Sequence, residues 1–526
     1  MVRMQRLARF RNACSRLHPV LIGVLLAVAY FFVQLAFINE YGVTWDEPLH
    51  RNWGKLFALF LKMGDRNLLE LMPGRGIYYG PVYYLLNYLL SEWLYAARVL
   101  SFVASNHLLN LITASISVAC LFVLATFVGG RKLGALSVLS FVLFPPFLAH
   151  SHYNPKDIPL LAVLLLTATV LSAGLLSNRR WLIILAAGLF GVSVAFKISA
   201  LIMALVFFNA YFEWMLQQAH AQGVRPLRFM RRELPTFFLA LLAVCVGVVL
   251  AWPTAWGDIG LIGRSIAVFL TSEYWQGKVL FFGREYSGGA LPWFYTPLEF
   301  FMVTPVFLIA VFIIGTVAAV LGIIRNDRRV LFVFLLTWFF FPLVFSLAPG
   351  LVRYDGMRQF FFILPAFAIL CGLGFLASAR FLVERFPLHR WIPFVLGIVV
   401  LLSLAAEVAI IHPFEGSYRN ALVRLFIPRD MDQQLQIEYW GATYKQGVDW
   451  LTEHAEPNPV ICVPTAGILV TWYPWREDFT FECSRRTNYV MFFTRYTEAG
   501  KFASLTIPPV FTISRYNSAL LKIYKI

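Results

Sequence analysis

Long apolar runs separated by short polar ones fill the first ~410 residues of the chain, and the pattern then changes. About 20 apolar residues suffice to cross a bilayer as a helix. Runs of that order recur at about 20–39, 107–128, 134–150, 158–176, 181–196, 198–216, 235–252, 297–323, 330–348, 358–380 and 391–410. The pattern therefore predicts about eleven crossings. From 412 to 526 no such run occurs, and apolar positions are broken up by polar residues, Pro and Gly. That stretch is long enough to hold a core of its own. Within it, 441–454 reads as a helix, with Val448 and Leu451 as its apolar positions, and 460–463 and 489–493 read as strands. Residues 510–526 read as two strands around Tyr516-Asn517-Ser518, a hairpin. The expected fold is an all-α polytopic membrane domain, 1–411, followed by a small α/β domain, 412–526.

Composition agrees with this division. Of 526 residues, 59% are hydrophobic and 14% charged, which excludes an ordinary soluble protein. The net charge of +16 raises the question of a polyanionic partner. Its distribution argues otherwise, because 412–526 carries 12 Lys+Arg against 11 Asp+Glu. The excess sits in clusters between the apolar runs: Arg3 to Arg16, Arg131-Lys132, Arg179-Arg180, Arg225 to Arg232, Arg325 to Arg329 and Arg380 to Arg390. Placing all six in the cytoplasm gives a consistent topology, with the N-terminus inside and the C-terminal domain outside. Nucleic acid is not an expected partner; the lipid bilayer is. The arginines ahead of the first run resemble a signal peptide, but the run is long and no small-residue cleavage site follows. An uncleaved signal anchor is expected.

On this topology four segments face outward: 39–106, 151–157, 253–296 and 349–357. Residues 80–100 are apolar and aromatic, yet a crossing there would invert every later loop, so they are expected as interfacial or re-entrant helices. A pair of extra spans is the alternative. Cys14, Cys120, Cys245 and Cys371 fall in or near the membrane part, and only Cys462 and Cys483 lie in the outer domain. An oxidising compartment would permit a bridge between these two; two unpaired buried thiols fit the sequence equally well.

Carboxylates and cations recur in the outward loops. Asp46 and Glu47, in Thr44-Trp45-Asp46-Glu47, lie just beyond the first span. A carboxylate there could act as general base toward a hydroxyl, and the pair would equally start a helix ahead of Pro48. Asp157, in His152-Tyr153-Asn154-Pro155-Lys156-Asp157, could be a second catalytic carboxylate with Lys156 facing phosphate, or a helix cap. Lys278, Arg284, Trp293 and Tyr295 lie in the third outer segment, and Tyr354 and Arg358 flank a span. Arginine grips phosphate through two parallel hydrogen bonds. Lys197, at an outer helix end, could do so as a point charge or could snorkel. His152, Asn154, Trp293 and Tyr295 are candidates for contacting sugar or acceptor. A divalent metal at Asp46 and Asp157 is left open.

Thr44-Trp45-Asp46-Glu47, Asn154-Pro155-Lys156-Asp157, Leu291-Pro292-Trp293, Tyr354-Asp355-Gly356-Met357-Arg358, His412-Pro413-Phe414 and Glu438-Tyr439-Trp440-Gly441 follow one another in this order. In this the chain resembles bacterial glycosyltransferases of the GT-C class. These are related to the protein O-mannosyltransferases and the lipid A aminoarabinose transferases, the family-thirty-nine-like group. The resemblance covers nearly the whole length. It implies a polyprenyl-phosphate-linked sugar as donor, a hydroxyl-bearing acceptor and catalysis on the extracytoplasmic side of a bacterial inner membrane. It assigns Asp46 as the base and Asp157 as the supporting acidic residue. Two departures stand out: Lys197 occupies a position where the family carries an arginine, and 412–417 lacks the family's aromatic run.

The expected activity is an inverting transfer of a hexose or pentose from the lipid phosphate to a hydroxyl of a protein, lipid or glycan. Lys156, Lys197, Lys278, Arg284, Tyr354 and Arg358 are the expected phosphate-side residues. Two other readings compete. A transporter or flippase of a lipid-linked sugar would place charge at the membrane midplane, often on broken helices in paired repeats, whereas here charge lies at predicted helix ends. A membrane scaffold explains the outer domain but not carboxylates in two separate loops.

Overall fold

The computed structural model describes residues 18–270, 275, 277–326, 328–389 and 391–526. The basic cluster Arg3 to Arg16 and Cys14 lie outside these residues. Helices of eight residues or more are numbered in chain order. They are α1 (Pro19–Ala36), α2 (Asp46–Met63), α3 (Val82–Ala96), α4 (Phe102–Gly129), α5 (Arg131–Val142), α6 (Pro145–Tyr153), α7 (Asp157–Ser177), α8 (Arg180–Phe196) and α9 (Ile202–Ala221). There follow α10 (Pro226–Ala251), α11 (Gly260–Leu270), α12 (Tyr295–Met302), α13 (Val306–Ile324), α14 (Arg329–Phe345), α15 (Leu364–Arg385), α16 (Ile392–Ile411) and α17 (Tyr444–His454).

The chain is a multi-pass membrane protein. Among the described residues, eight helical segments are long and apolar enough to span a bilayer: α1, α4, α7, α9 with the turn before it, α10, α13, α15 with the turn before it, and α16. α5 and α6 qualify together as a pair bent by 71°. α8 and α14 are apolar but shorter. Every expected run thus meets a helix, though not every one meets the length of a crossing. Two runs are broken, and prolines explain both. Phe144 is extended ahead of Pro145, and the run at 297–323 divides into α12 and α13 at Pro305. A residue before proline is pushed out of the helical region, and proline offers no N–H to continue one.

α2 and α3 fill the first long loop, and neither qualifies as a spanning helix. Glu47, His50, Trp53, Gly54 and Phe57 form the buried face of α2, at the spacing of one helical stripe. α2 meets α3 backbone to backbone at Gly54, where a Cβ would lie 2.2 Å from the Tyr84 carbonyl oxygen. This close packing sets the direction of α2 and hence the place of its first residue, Asp46.

The C-terminal part folds as a five-stranded sheet in the order β4-β3-β5-β7-β6. Its strands are β3 (Val460–Cys462), β4 (Thr480–Phe481), β5 (Tyr489–Phe493), β6 (Phe511–Arg515) and β7 (Ser518–Lys525), with β3 parallel to both β4 and β5 and the rest antiparallel. Tyr516 and Asn517 both take left-handed φ, 51° and 59°, in the β6–β7 turn, the twist that a two-residue hairpin favours. Cys462 and Cys483 form a disulfide. Before α12, β1 (Lys278–Phe281) and β2 (Arg284–Ser287) make a hairpin.

The core expected to belong to the C-terminal domain alone is shared. Val43, Phe281, Leu291, Tyr295 and Tyr354 lie in the same apolar cluster as Leu435, Tyr444, Val448, Met491 and Leu521. Phe281 also makes a β-bridge to Leu435. The loops that join the membrane helices are thereby packed against the sheet domain, and the candidate site forms at that seam.

Candidate functional site

Thr44 to Glu47 starts α2 with reciprocal capping. The Glu47 carboxylate turns back to accept the Thr44 N–H at 2.7 Å, while the Glu47 N–H donates to the Thr44 carbonyl. The returning carboxylate is one half of a capping box; the Thr44 hydroxyl, instead of accepting an N–H, donates to the same carboxylate and to the Tyr153 carbonyl. Glu47 is buried, with the His107 Nε2 2.9 Å from its other oxygen. Asp46, one position earlier, points the other way, and its Oδ2 accepts from Arg358 Nη1 at 2.9 Å. About a fifth of the Asp46 side chain stays accessible. Burial alone would raise the Asp46 carboxyl, but the Arg358 guanidinium outweighs it and, with Lys156, holds the group below the usual carboxylate range.

The second acidic motif is built the same way, from a local turn. Asn154 Oδ1 accepts from the N–H groups of Lys156 and Asp157, at 3.3 and 3.0 Å. This closes an Asx turn at the start of α7. The Asn154 amide donates to Asp157 Oδ2 at 3.0 Å, and Lys197 Nζ donates to Asp157 Oδ1 at 2.7 Å. Lys197 sits in the short break between α8 and the turn before α9. Lys156 turns toward α2, with its Nζ 4.1 Å from the Tyr79 ring centroid and 5.9 Å from that of Trp53.

Lys156, Asp157, Lys197 and Arg358 meet at a cavity of about 380 Å³, and Asp46 lies behind Arg358, outside its lining. Its polar end is Lys156, Asp157, Lys197, Tyr354 and Arg358, and its walls include Ile198, Leu201, Ile202, Leu205, Ile266, Phe341, Phe345 and Phe360. The volume lies within the range of ligand sites, about 300–1,000 Å³. Three cations against one lining carboxylate make that end complementary to an anion, and the apolar walls suit a chain. The polar end also lies at the start of helices α7 and α15 with its preceding turn, where backbone N–H groups favour negative charge.

Other expected residues lie elsewhere. Lys278 and Arg284 stand on the exposed side of the β1–β2 hairpin, Lys278 paired with Glu285 at 3.0 Å, and neither lines the cavity. In β1, Val279 and Phe281 take the buried positions of a two-residue period and leave Lys278 outside. Trp293 is 61% exposed. His152 is buried inside α6, stacked on Tyr41 with ring centroids 3.8 Å apart, its ring nitrogens near the carbonyls of Leu148 and Gln34. Tyr295 is also buried; its hydroxyl accepts from the Gly356 N–H at 2.9 Å and so props the loop that carries Arg358.

For a divalent metal the donor set does not fit. Arg358 already neutralises Asp46, and Lys197 with Asn154 holds Asp157. Among the described residues no group of three His, Cys, Asp or Glu converges anywhere.

Several site residues carried no assignment in the sequence. His50, one turn after Asp46, is buried against Trp53 and Tyr84, with no hydrogen-bond partner on either ring nitrogen among the described residues. Burial pushes it down to about 3, so it is neutral at pH 7. Trp440 from the Glu438-Tyr439-Trp440-Gly441 motif lays its ring under Arg358, 4.5 Å from Cζ. Asp355 holds the second edge of the Arg358 guanidinium, Nη2 to Oδ2 at 2.9 Å.

No family model and no curated protein sequence matches the chain. Solved structures do resemble it. ArnT from Cupriavidus metallidurans in the apo state is 12% identical over 96% of this chain and 97% of that one, with a TM-score of 0.48. The same protein bound to undecaprenyl phosphate is 12% identical over the same shares, with a TM-score of 0.46. The archaeal oligosaccharyltransferase AglB from Archaeoglobus fulgidus, in complex with an inhibitory peptide and a dolichol-phosphate, is 11% identical. That match covers 91% of this chain and 70% of AglB, with a TM-score of 0.48.

Proposed function

We propose that the protein is an integral-membrane, inverting glycosyltransferase that moves a sugar from a polyprenyl-phosphate donor to a hydroxyl acceptor on the extracytoplasmic face. One observation carries the reading: an apolar cavity of about 380 Å³ ends at Lys156, Lys197 and Arg358, and Arg358 is in turn hydrogen-bonded to a partly accessible carboxylate, Asp46. A cationic pole suits the phosphate, the apolar walls suit the prenyl chain, and the carboxylate suits a hydroxyl that must lose its proton.

In this mechanism the acceptor oxygen attacks the anomeric carbon from the face opposite the phosphate. Its proton passes to Asp46. The bond between the anomeric carbon and the phosphate oxygen breaks, and polyprenyl phosphate leaves with the electron pair. A phosphate monoester has a second pKa near 6, so no general acid is required. Fixed positive charge at the departing oxygen does the stabilising, and Lys156, Lys197 and Arg358 supply it. Asp157 keeps Lys197 in place.

The test uses purified protein in detergent with a panel of radiolabelled polyprenyl-phosphate sugars, comparing wild type with Asp46→Asn. Loss of label from one donor with wild type alone supports the reading and names the sugar. Transport of a lipid-linked sugar into vesicles without transfer would replace it with the flippase reading.

A further inference from the structure

We propose that the C-terminal domain positions the phosphate-binding guanidinium of Arg358 through Asp355, with Arg495 and Gln436 as the positioning residues. The proposal rests on the polyprenyl-phosphate reading above.

Asp355 uses its two oxygens in two directions. Oδ2 takes Arg358 Nη2 at 2.9 Å. Oδ1 takes Gln436 Nε2 at 3.1 Å and lies 3.4 Å from Arg495 Nη1. Gln436 and Arg495 both belong to the C-terminal part, Arg495 just after β5, and Asp355, Gln436 and Arg495 are all buried. Asp46, Arg358, Asp355 and Arg495 thus form a row of alternating charge that starts at the head of α2 and ends in the sheet domain. Arg495 is itself fixed, its Nη1 donating to the Tyr439 carbonyl at 3.3 Å and its guanidinium lying 5.5 and 5.8 Å from the rings of Trp45 and Trp275.

The physical consequence follows from sharing. A buried carboxylate must be neutralised by whatever cation is near. With Arg495 and Gln436 on Oδ1, Asp355 draws only part of its compensation from Arg358, and the remaining donors of Arg358 stay available to the cavity. Without them, Arg358 is the main partner of Asp355 and is drawn toward it, away from the phosphate and Asp46. Asp355 is held at the required angle by its own backbone, which takes a left-handed φ of 52°. An arginine fork recognises phosphate only when its plane is fixed. Here Asp46, Asp355 and the Trp440 ring fix it from three sides, and Trp440 also comes from the C-terminal domain.

The experiment measures binding of undecaprenyl phosphate to the full-length protein in detergent. The variants are Arg495→Gln, Arg495→Lys, Asp355→Asn and the Arg495→Gln/Asp355→Asn double variant. Loss of the buried ion pair between Arg495 and Asp355 predicts that Arg495→Gln binds about tenfold more weakly than wild type. Arg495→Lys should recover part of that loss. In the Asp355→Asn background, Arg495→Gln should cause no further loss, because its route to Arg358 is gone. Wild-type affinity in Arg495→Gln, or an equal loss in both backgrounds, overturns the proposal while leaving the donor reading intact. Absence of saturable binding by wild type overturns the donor reading and this proposal with it. Should Arg495→Gln fail to fold, Gln436→Met enters the same cycle, with a smaller loss expected and the same two outcomes decisive.

Discussion

Arg358 donates to Asp46 across 312 positions of sequence, Nη1 to Oδ2 at 2.9 Å. One guanidinium is therefore both the cationic end of the cavity and the partner of the proposed base. Asp46→Asn keeps the shape and removes the proton acceptor. Turnover should fall by about 10²–10⁴-fold, the usual contribution of a positioned base, while undecaprenyl phosphate still binds. Single-turnover rates with labelled donor measure this, and wild-type rates in the variant would remove Asp46 from the role.

Lys197 and Asp157 make the second prediction. Their contact is 2.7 Å, with the Lys197 side chain 14% exposed and Asp157 3%. Removing one partner of a buried pair leaves the other uncompensated and typically costs about 3–5 kcal/mol. Lys197→Met should therefore lower the thermal midpoint clearly, and Lys197→Met with Asp157→Asn should restore much of it. Donor affinity should not recover in the double variant, because the cation is still missing. Equal midpoints for the single and double variants would mean that the pair does not hold this end of α7.

The sequence carried the membrane helices well, because their signal is local and long. It carried the acidic motifs too, since Thr44-x-x-Glu47 and Asn154-x-x-Asp157 each close within one turn. Which member of the acidic pair meets Arg358 was not legible in the residues themselves, and only the family resemblance pointed to Asp46. Asp46 and Glu47 differ by one position, about 100° around a helix, and only the capping geometry turns Glu47 inward. Lys278 and Arg284 were misleading for another reason. They lie in an outward loop and carry the right charge, but the two-residue period of β1, with Val279 and Phe281 buried, points Lys278 away. Arg495 had no signal at all, because its role depends on a contact with Asp355 made through the tertiary fold.

His412 supplies the third prediction, a pH dependence of stability. Its ring nitrogens lie 2.6 Å from Glu415 Oε1 and 2.9 Å from Glu40 Oε2. Burial lowers its pKa, but the two carboxylates outweigh that and raise it above the ordinary value. A raised folded pKa means that protonation stabilises the fold. The contribution is complete below the unfolded value, about 6.5, and is lost as pH rises through the folded value. Thermal midpoints should fall from pH 6 upward, and His412→Gln should flatten that slope. An unchanged slope in His412→Gln would assign the dependence to another group.

The fourth prediction separates location from charge. Lys156, Lys278 and Arg284 each contribute one positive charge, and replacing any one with Ala changes the net charge equally. Only Lys156 lines the cavity. Lys278 pairs with Glu285 where both are about half exposed, and such surface pairs contribute about 0–1 kcal/mol. Lys156→Ala should raise the donor KM several-fold, or about 1 kcal/mol in the arithmetic of affinity. Lys278→Ala and Arg284→Ala should leave both KM and kcat at wild-type values. If all three variants raised KM alike, and the effect vanished in high salt, the cations would act by long-range attraction of an anionic lipid. Retention of the Lys156 effect in high salt would instead mark a contact made inside the cavity, where screening is weak.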